Sequence, residues 1–194
     1  MPAEEDWILI QKFRDGDPSG FQEIFNRHRS RVINLSFRFL QNREAAEDVA
    51  QEVFIKIYEK KLVFNPKAKF TTWLYRVTVN ASLDRTKRKS FFDRSLDKVE
   101  TGDGGEDKTL LETLSDRSAV SPAAALEQKE LSGLVQAALR KLPEKLRVPI
   151  LLHRFDGLPY GEIAQILGTS VKAVERRIYH AKEALRASLA EFQV

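Results

Sequence analysis

The run PYGEIAQILGTSVKAVERRIYHAKEAL, residues 159–185, decides the reading of the C-terminal part of this chain. Ile163 and Leu167 are apolar and four apart, and Ala164 is small where two helices would cross closely. Gly168 supplies a tight turn between them. Ser170 or Thr169 then caps a second helix that buries Val171, Val174, Ile178 and Leu185. Its opposite face carries Lys172, Ala173, Arg176, Tyr179 and His180, with Arg177 at the edge. Long donors beside one small residue suit a helix entering a DNA major groove, because the donors reach base edges while the small residue permits close approach. An ordinary helical hairpin with a solvated charged face shares the periodicity, but the Ala, Gly and Val positions keep helix-turn-helix spacing. Glu175 and Glu183 would be repelled by phosphate, so they either read a cytosine amino group or mark the edge of the groove. Lys182, Arg186 and Arg147 could meet phosphates, which positions a domain without specifying sequence.

Upstream of this run, Ser121-Pro122 reads as a cap followed by proline at the first helical position. Leu131, Leu134, Val135, Ala138, Leu139 and Leu142 form its buried stripe, Pro143 opens another helix, and Asp156-Gly157 ends that one. Helical periodicity fails between about Phe91 and Ser121, where Gly102, Gly104 and Gly105 sit among many acids. That composition reads as a flexible linker, with Leu110, Leu111 and Leu114 as anchoring points if it contacts a partner.

Helical periodicity dominates the N-terminal block, from Trp7 to Lys89. Phe21, Ile24, Phe25, His28, Val32, Leu35 and Phe39 make one apolar stripe. Asn42 caps a helix whose inner face holds Ala46, Val49, Ala50, Val53 and Ile57. After a loop marked by Asn65-Pro66, Phe70, Trp73, Leu74, Val77 and Ala81 start a fourth helix. No segment alternates with period two. The expected fold class is therefore all-α, in two small helical domains of residues 1–90 and 122–194 joined by a linker of residues 91–121.

Two faces of the N-terminal block carry more than solvation requires. On the helix from Asn42 to Glu59, the residues away from the core are Asp48, Gln51, Glu52, Ile55 and Glu59, an apolar centre with a charged rim. On the helix of residues 70–89, Arg76, Asn80, Leu83 and Lys87 line one face, and Arg85, Arg88 and Lys89 crowd the end. Bases near a helix C-terminus complement its dipole. Five bases between Arg76 and Lys89 against the single acid Asp84 exceed that need and, with nearby aromatic rings, suit single-stranded nucleic acid. Phe70 and Trp73 belong to the core on this reading, and Tyr75 faces outward.

Composition is consistent with this. The chain has 194 residues, 42% hydrophobic and 31% charged, with a net charge of +4. It has no cysteine, which excludes disulfides and thiolate metal sites. Residues 1–17 carry five acids and no long apolar run, so neither a secretory signal nor direct membrane insertion is expected. The expected location is the cytoplasm.

On these residues the chain resembles the sigma factors of bacterial RNA polymerase, sigma-70 family, in their small extracytoplasmic-function form. The run AEDVAQEVFIKIYE resembles the region 2 segment that docks on the clamp helices of the polymerase largest subunit. The run FTTWLYRVTVNASLDRTKRK, Phe70 to Lys89, resembles the segment that melts and reads the −10 promoter element. Leu142 to Leu185 resembles region 4, which reads the −35 element. The resemblance implies polymerase docking through Asp48, Gln51, Glu52 and Ile55. It implies −10 contacts from Arg76, Asn80, Leu83, Lys87 and Arg88, and −35 contacts from Lys172, Ala173, Arg176, Arg177, Tyr179 and His180. It implies core RNA polymerase, including its flap, and promoter DNA as partners, and an anti-sigma factor as regulator. It also implies a loop, Lys61 to Lys69, placed to capture a flipped −10 base, although KLVFNPKAK names neither base nor gripping residue. Many relatives carry a basic residue where this chain has Glu175, which leaves the −35 base preference open.

No enzymatic activity, catalytic residue, cofactor or metal is expected. A stand-alone helix-turn-helix regulator would explain residues 159–185 equally well, but not the basic helix of residues 70–89 or the D-x-x-Q-E run. A metal-dependent nuclease on Glu44, Glu47, Asp48 and Glu52 would need those acids on one side, with a histidine nearby, and helical spacing scatters them. His28, His153 and His180 read as unpaired.

Overall fold

Asp17 caps the 23-residue helix on which the N-terminal unit is built, its carboxylate accepting from the Ser19 amide at 2.9 Å, with Pro18 at the first helical position. In this computed structural model the described residues are 2–59, 69–95 and 133–190. They form α1 (Pro2–Arg14), α2 (Pro18–Leu40), α3 (Arg43–Tyr58), α4 (Phe70–Ser95), α5 (133–141), α6 (Glu144–Asp156), α7 (Tyr160–Leu167) and α8 (Val171–Ala190). The fold is all-α, and the chain divides into two units, Met1–Gly105 and Glu106–Val194. The expected cap at Ser121-Pro122, the anchoring leucines, Leu131 and nearly all of the loop 61–69 lie outside the described residues.

In the first unit α2 is the central rod, packed by α1, α3 and α4. Its inward residues Ile24, Val32, Leu35 and Phe39 are those of the expected stripe. With Val49, Val53, Phe54, Ile57, Phe70 and Leu74 they exclude water from the centre of the unit. Burying side chains of this size is worth about 1.5–3 kcal/mol each. Asn42 caps α3 as its sequence requires, accepting from the Ala45 amide at 2.7 Å.

Two features set how closely the rods approach. Gly20 is buried where α2 crosses α1, and a Cβ there would stand 2.3 Å from the Leu9 carbonyl oxygen. On α4 the buried face is partly hydroxylic. Thr78 donates to the Leu74 carbonyl at 2.8 Å, Ser82 to that of Thr78 at 2.8 Å, and Thr86 to that of Ser82 at 3.0 Å. These three hydroxyls are satisfied within their own helix, whereas that of Thr72, buried one turn before Tyr75, has no hydrogen-bond partner.

Helix α4 also runs to Ser95, beyond the expected end at residue 89. Residues 90–95 contain neither glycine nor proline, so nothing there breaks the helix.

In the second unit α8 packs on both α6 and α7. Val148, Leu151, Leu152, Ile163, Val174 and Ile178 are buried. Gly157 ends α6 and Gly168 ends α7, both in the left-handed region, at φ 65° and 60°. Ser170 rather than Thr169 caps α8, its hydroxyl accepting from the Ala173 amide at 3.2 Å.

Candidate nucleic-acid and polymerase interface

The spacing 48, 51, 52, 55 on α3 follows the helical repeat, so these side chains share one face. All four are exposed, and Ile55 keeps 54% of its surface in solvent. Glu52 is held by Lys56 one turn on. Asp48 is held from another helix: Arg85 of α4 donates through Nη2 to Asp48 Oδ2 at 2.6 Å. Asp48, expected on a docking face, and Arg85, expected among the basic residues of a separate helix, are thus in contact. Tyr58 extends the face, exposed yet leaning on Phe21 and Phe13 with ring centroids 5.2 and 5.6 Å away.

On α4, Arg76, Asn80, Lys87 and Arg88 are exposed. Leu83 is not: it retains only 9% of its surface, which corrects its placement on that face. The physical reason is that α1, α2 and α3 all pack on α4, so the buried arc is wide enough to take in Val79 and Leu83. The same arc buries Tyr75, expected outside. Phe70 is buried and stacks on half-buried Trp73 at 5.7 Å.

His28 is paired, contrary to its reading as a lone ring. Its Nε2 donates to Asp6 Oδ2 at 3.0 Å, with both residues buried, and the ring edge meets Phe70 at 5.4 Å. Burial pushes the imidazole below its ordinary pKa, against the pull of Asp6. His28 Nδ1 has no hydrogen-bond partner, consistent with a neutral ring. Asp6 also accepts from Arg27 Nη1 at 2.9 Å. His153 Nδ1 donates to the Leu158 carbonyl at 3.1 Å, so it too has a structural partner.

On α8, Lys172, Arg176, Tyr179 and His180 are exposed and Ala173 and Arg177 half-buried, opposite the buried Val174, Ile178 and Ala181. Tyr179 and His180 stand edge to face at 5.6 Å. Two expected core residues sit differently: Val171 is 49% exposed and Leu185 only half-buried. Val171 is the first residue of α8, one turn before the first buried position, Val174. Arg147, expected to reach phosphate, is half-buried on α6, and burial lowers its pKa. Its Nε has no hydrogen-bond partner.

Among the described residues, no cluster of histidines and acids could hold a metal ion, and no helix is long and apolar enough to cross a membrane.

Comparison with known proteins fits these two units. A family model of sigma-70 region 2 matches residues 24–92, and one of sigma-70 region 4 matches residues 132–185. The chain is 36% identical to the ECF RNA polymerase sigma factor SigW of Bacillus subtilis, over 93% of this chain and 94% of that protein. It is 32% identical to the ECF RNA polymerase sigma-E factor of Escherichia coli, over 93% and 92% respectively. Among solved structures, CnrH in complex with the cytosolic domain of CnrY matches with a TM-score of 0.64 at 25% identity, over 98% of this chain and 99% of that one. The sigma factor RpoE of Bartonella quintana, in complex with the anti-sigma factor NepR, shares the fold with a TM-score of 0.62 at 16% identity, over 88% and 96%.

Proposed function

This chain belongs to the sigma-70 family of RNA polymerase sigma factors, in its extracytoplasmic-function group, and on that premise we propose how its surfaces divide the work of promoter recognition. The α3 face of Asp48, Gln51, Glu52 and Ile55 docks on core polymerase: acids at the rim meet cations and Ile55 fills the apolar centre. On α4, Arg76, Asn80, Lys87 and Arg88 hold the separated strands of the −10 element, and Leu83 serves only the core. On α8, Lys172, Ala173, Arg176, Arg177, Tyr179 and His180 face the −35 duplex. Residues 1–90 form the docking and melting domain, residues 122–194 the −35 domain, and residues 91–121 the tether between them.

The observation that supports this reading most directly is the one-sidedness of α8. Val174, Ile178 and Ala181 are buried while Lys172, Arg176, Tyr179 and His180 are exposed opposite them, so the helix presents donors without disturbing its own packing. The protein performs no chemical step of its own and works in the cytoplasm, where polymerase and DNA are. An anti-sigma factor restrains it by covering the α3 face; CnrH and RpoE, of the same fold, were each solved with such a protein or a cytosolic partner domain.

The test is transcription in vitro from genomic fragments with bacterial core polymerase, with and without this protein. New start sites that appear only with the protein are expected. Operator binding as a dimer, with no association with core polymerase, would instead establish a stand-alone regulator.

A further inference from the structure

Asp48 stands on the exposed face of α3, yet one of its two carboxylate oxygens is already committed. Arg85, 37 residues further along and on a different helix, donates to Oδ2 at 2.6 Å. Both side chains are about half exposed, so the pair lies at the surface, where a polymerase cation can approach the second oxygen. Glu52 is restrained comparably, its Oε1 taken by Lys56 one turn along α3. Each acid of the docking face is therefore held by a cation of the same domain, Glu52 from its own helix and Asp48 from its neighbour.

We infer that Arg85 is a positioning residue for polymerase docking: by holding Asp48 Oδ2 it fixes the carboxylate so that Oδ1 is aimed at the partner. The inference rests on the docking role proposed for the α3 face. A carboxylate on an exposed helix ordinarily samples several rotamers, and ordering it on binding costs affinity. A charge-assisted bond from a rigid neighbouring helix settles that cost in the folded chain beforehand. It also makes the docking face sensitive to the position of α4, the helix that carries the strand-holding residues. Arg85 is thereby set apart from Arg76, Lys87 and Arg88, whose proposed partner is nucleic acid.

Because the pair is exposed, its effect is modest. An exposed ion pair changes an equilibrium by about 1.5- to fivefold at low salt, and salt screening diminishes it. The experiment is a double-mutant cycle on the full chain, reading affinity for bacterial core polymerase for the parent, Arg85→Gln, Asp48→Asn and both together. Arg85→Gln is expected to weaken core binding by roughly two- to fivefold at low salt and less at high salt. In the Asp48→Asn background the same change is expected to do nothing, and Arg85→Lys is expected to restore part of the loss. Thermal melting of each variant separates a weakened fold from a weakened face.

Unchanged or tighter core binding by Arg85→Gln would overturn the inference, tighter binding identifying Arg85 as a competitor of the polymerase. An equal loss with and without Asp48 would overturn it as well, since Arg85 would then touch the polymerase directly. Failure of the parent chain to bind core at all would sink the docking role itself, a result distinct from a flat cycle on a chain that binds.

Discussion

Asp6 and His28 meet 3.0 Å apart with almost no solvent on either, one from the first turns of α1 and the other from the middle of α2. The ring rests against Phe70 at the start of α4, so one neutral imidazole touches elements from both ends of the first unit. Burial holds its pKa below the ordinary value near 6.5. The folded chain therefore binds fewer protons than the unfolded one just below that value, and stability rises with pH there. Acidification below about pH 6.5 is expected to lower the melting temperature progressively as pH falls toward the folded pKa. His28→Gln should flatten that slope, which melting curves across about pH 5 to 7 would show.

A change at the docking face should separate binding from folding. Asp48→Lys with Glu52→Lys is expected to abolish association with core polymerase while the far-ultraviolet circular dichroism stays that of the parent. Both side chains are exposed, so neither lysine meets the core. Undiminished affinity for core would remove the docking assignment.

The two sides of α4 give opposite expectations for neighbouring truncations. Leu83→Ala should destabilise the fold by about 2–5 kcal/mol, because it opens a cavity beneath the helix. Asn80→Ala should leave stability within about 0.5 kcal/mol and reduce promoter melting. Permanganate footprinting of the open complex, beside thermal melts, checks both.

For α8, Arg176→Ala is expected to weaken −35 recognition by about 1–3 kcal/mol if the guanidinium reads a base edge. The loss should be confined to promoters carrying the preferred base. A uniform loss across sequences would make Arg176 a phosphate contact instead.

Gly20→Ala is expected to cost about 1–3 kcal/mol, since the added methyl meets the backbone of α1 rather than a yielding side chain. Gly161→Ala on α7 has nothing within 4 Å of the new Cβ and should be neutral or stabilising. Chemical denaturation of the two variants tests the contrast.

What the sequence made legible was what neighbours in sequence settle between themselves. The Asn42 cap bonds three residues on, Gly168 needs only its own φ, and the apolar stripe of α2 is a matter of period. Leu83 and Tyr75 were misplaced because the width of a buried arc depends on how many helices pack on it, which periodicity does not carry. The buried hydroxyls of Thr78 and Ser82 read as polar in sequence and are satisfied by carbonyls of their own helix. Contacts such as Asp48 with Arg85, or Asp6 with His28, join residues whose separation in sequence follows no local rule. They are products of the assembled bundle.

The hydroxyl ladder of α4 has a consequence for the helices around it. Because Thr78, Ser82 and Thr86 return their bonds to α4 itself, those hydroxyls impose no matching donors and acceptors on the neighbouring helices. At those positions the seam is held by shape alone, with no directional bond to set its register. A substitution on a neighbouring helix that faces those positions therefore has to match a contour and no hydrogen-bonding pattern.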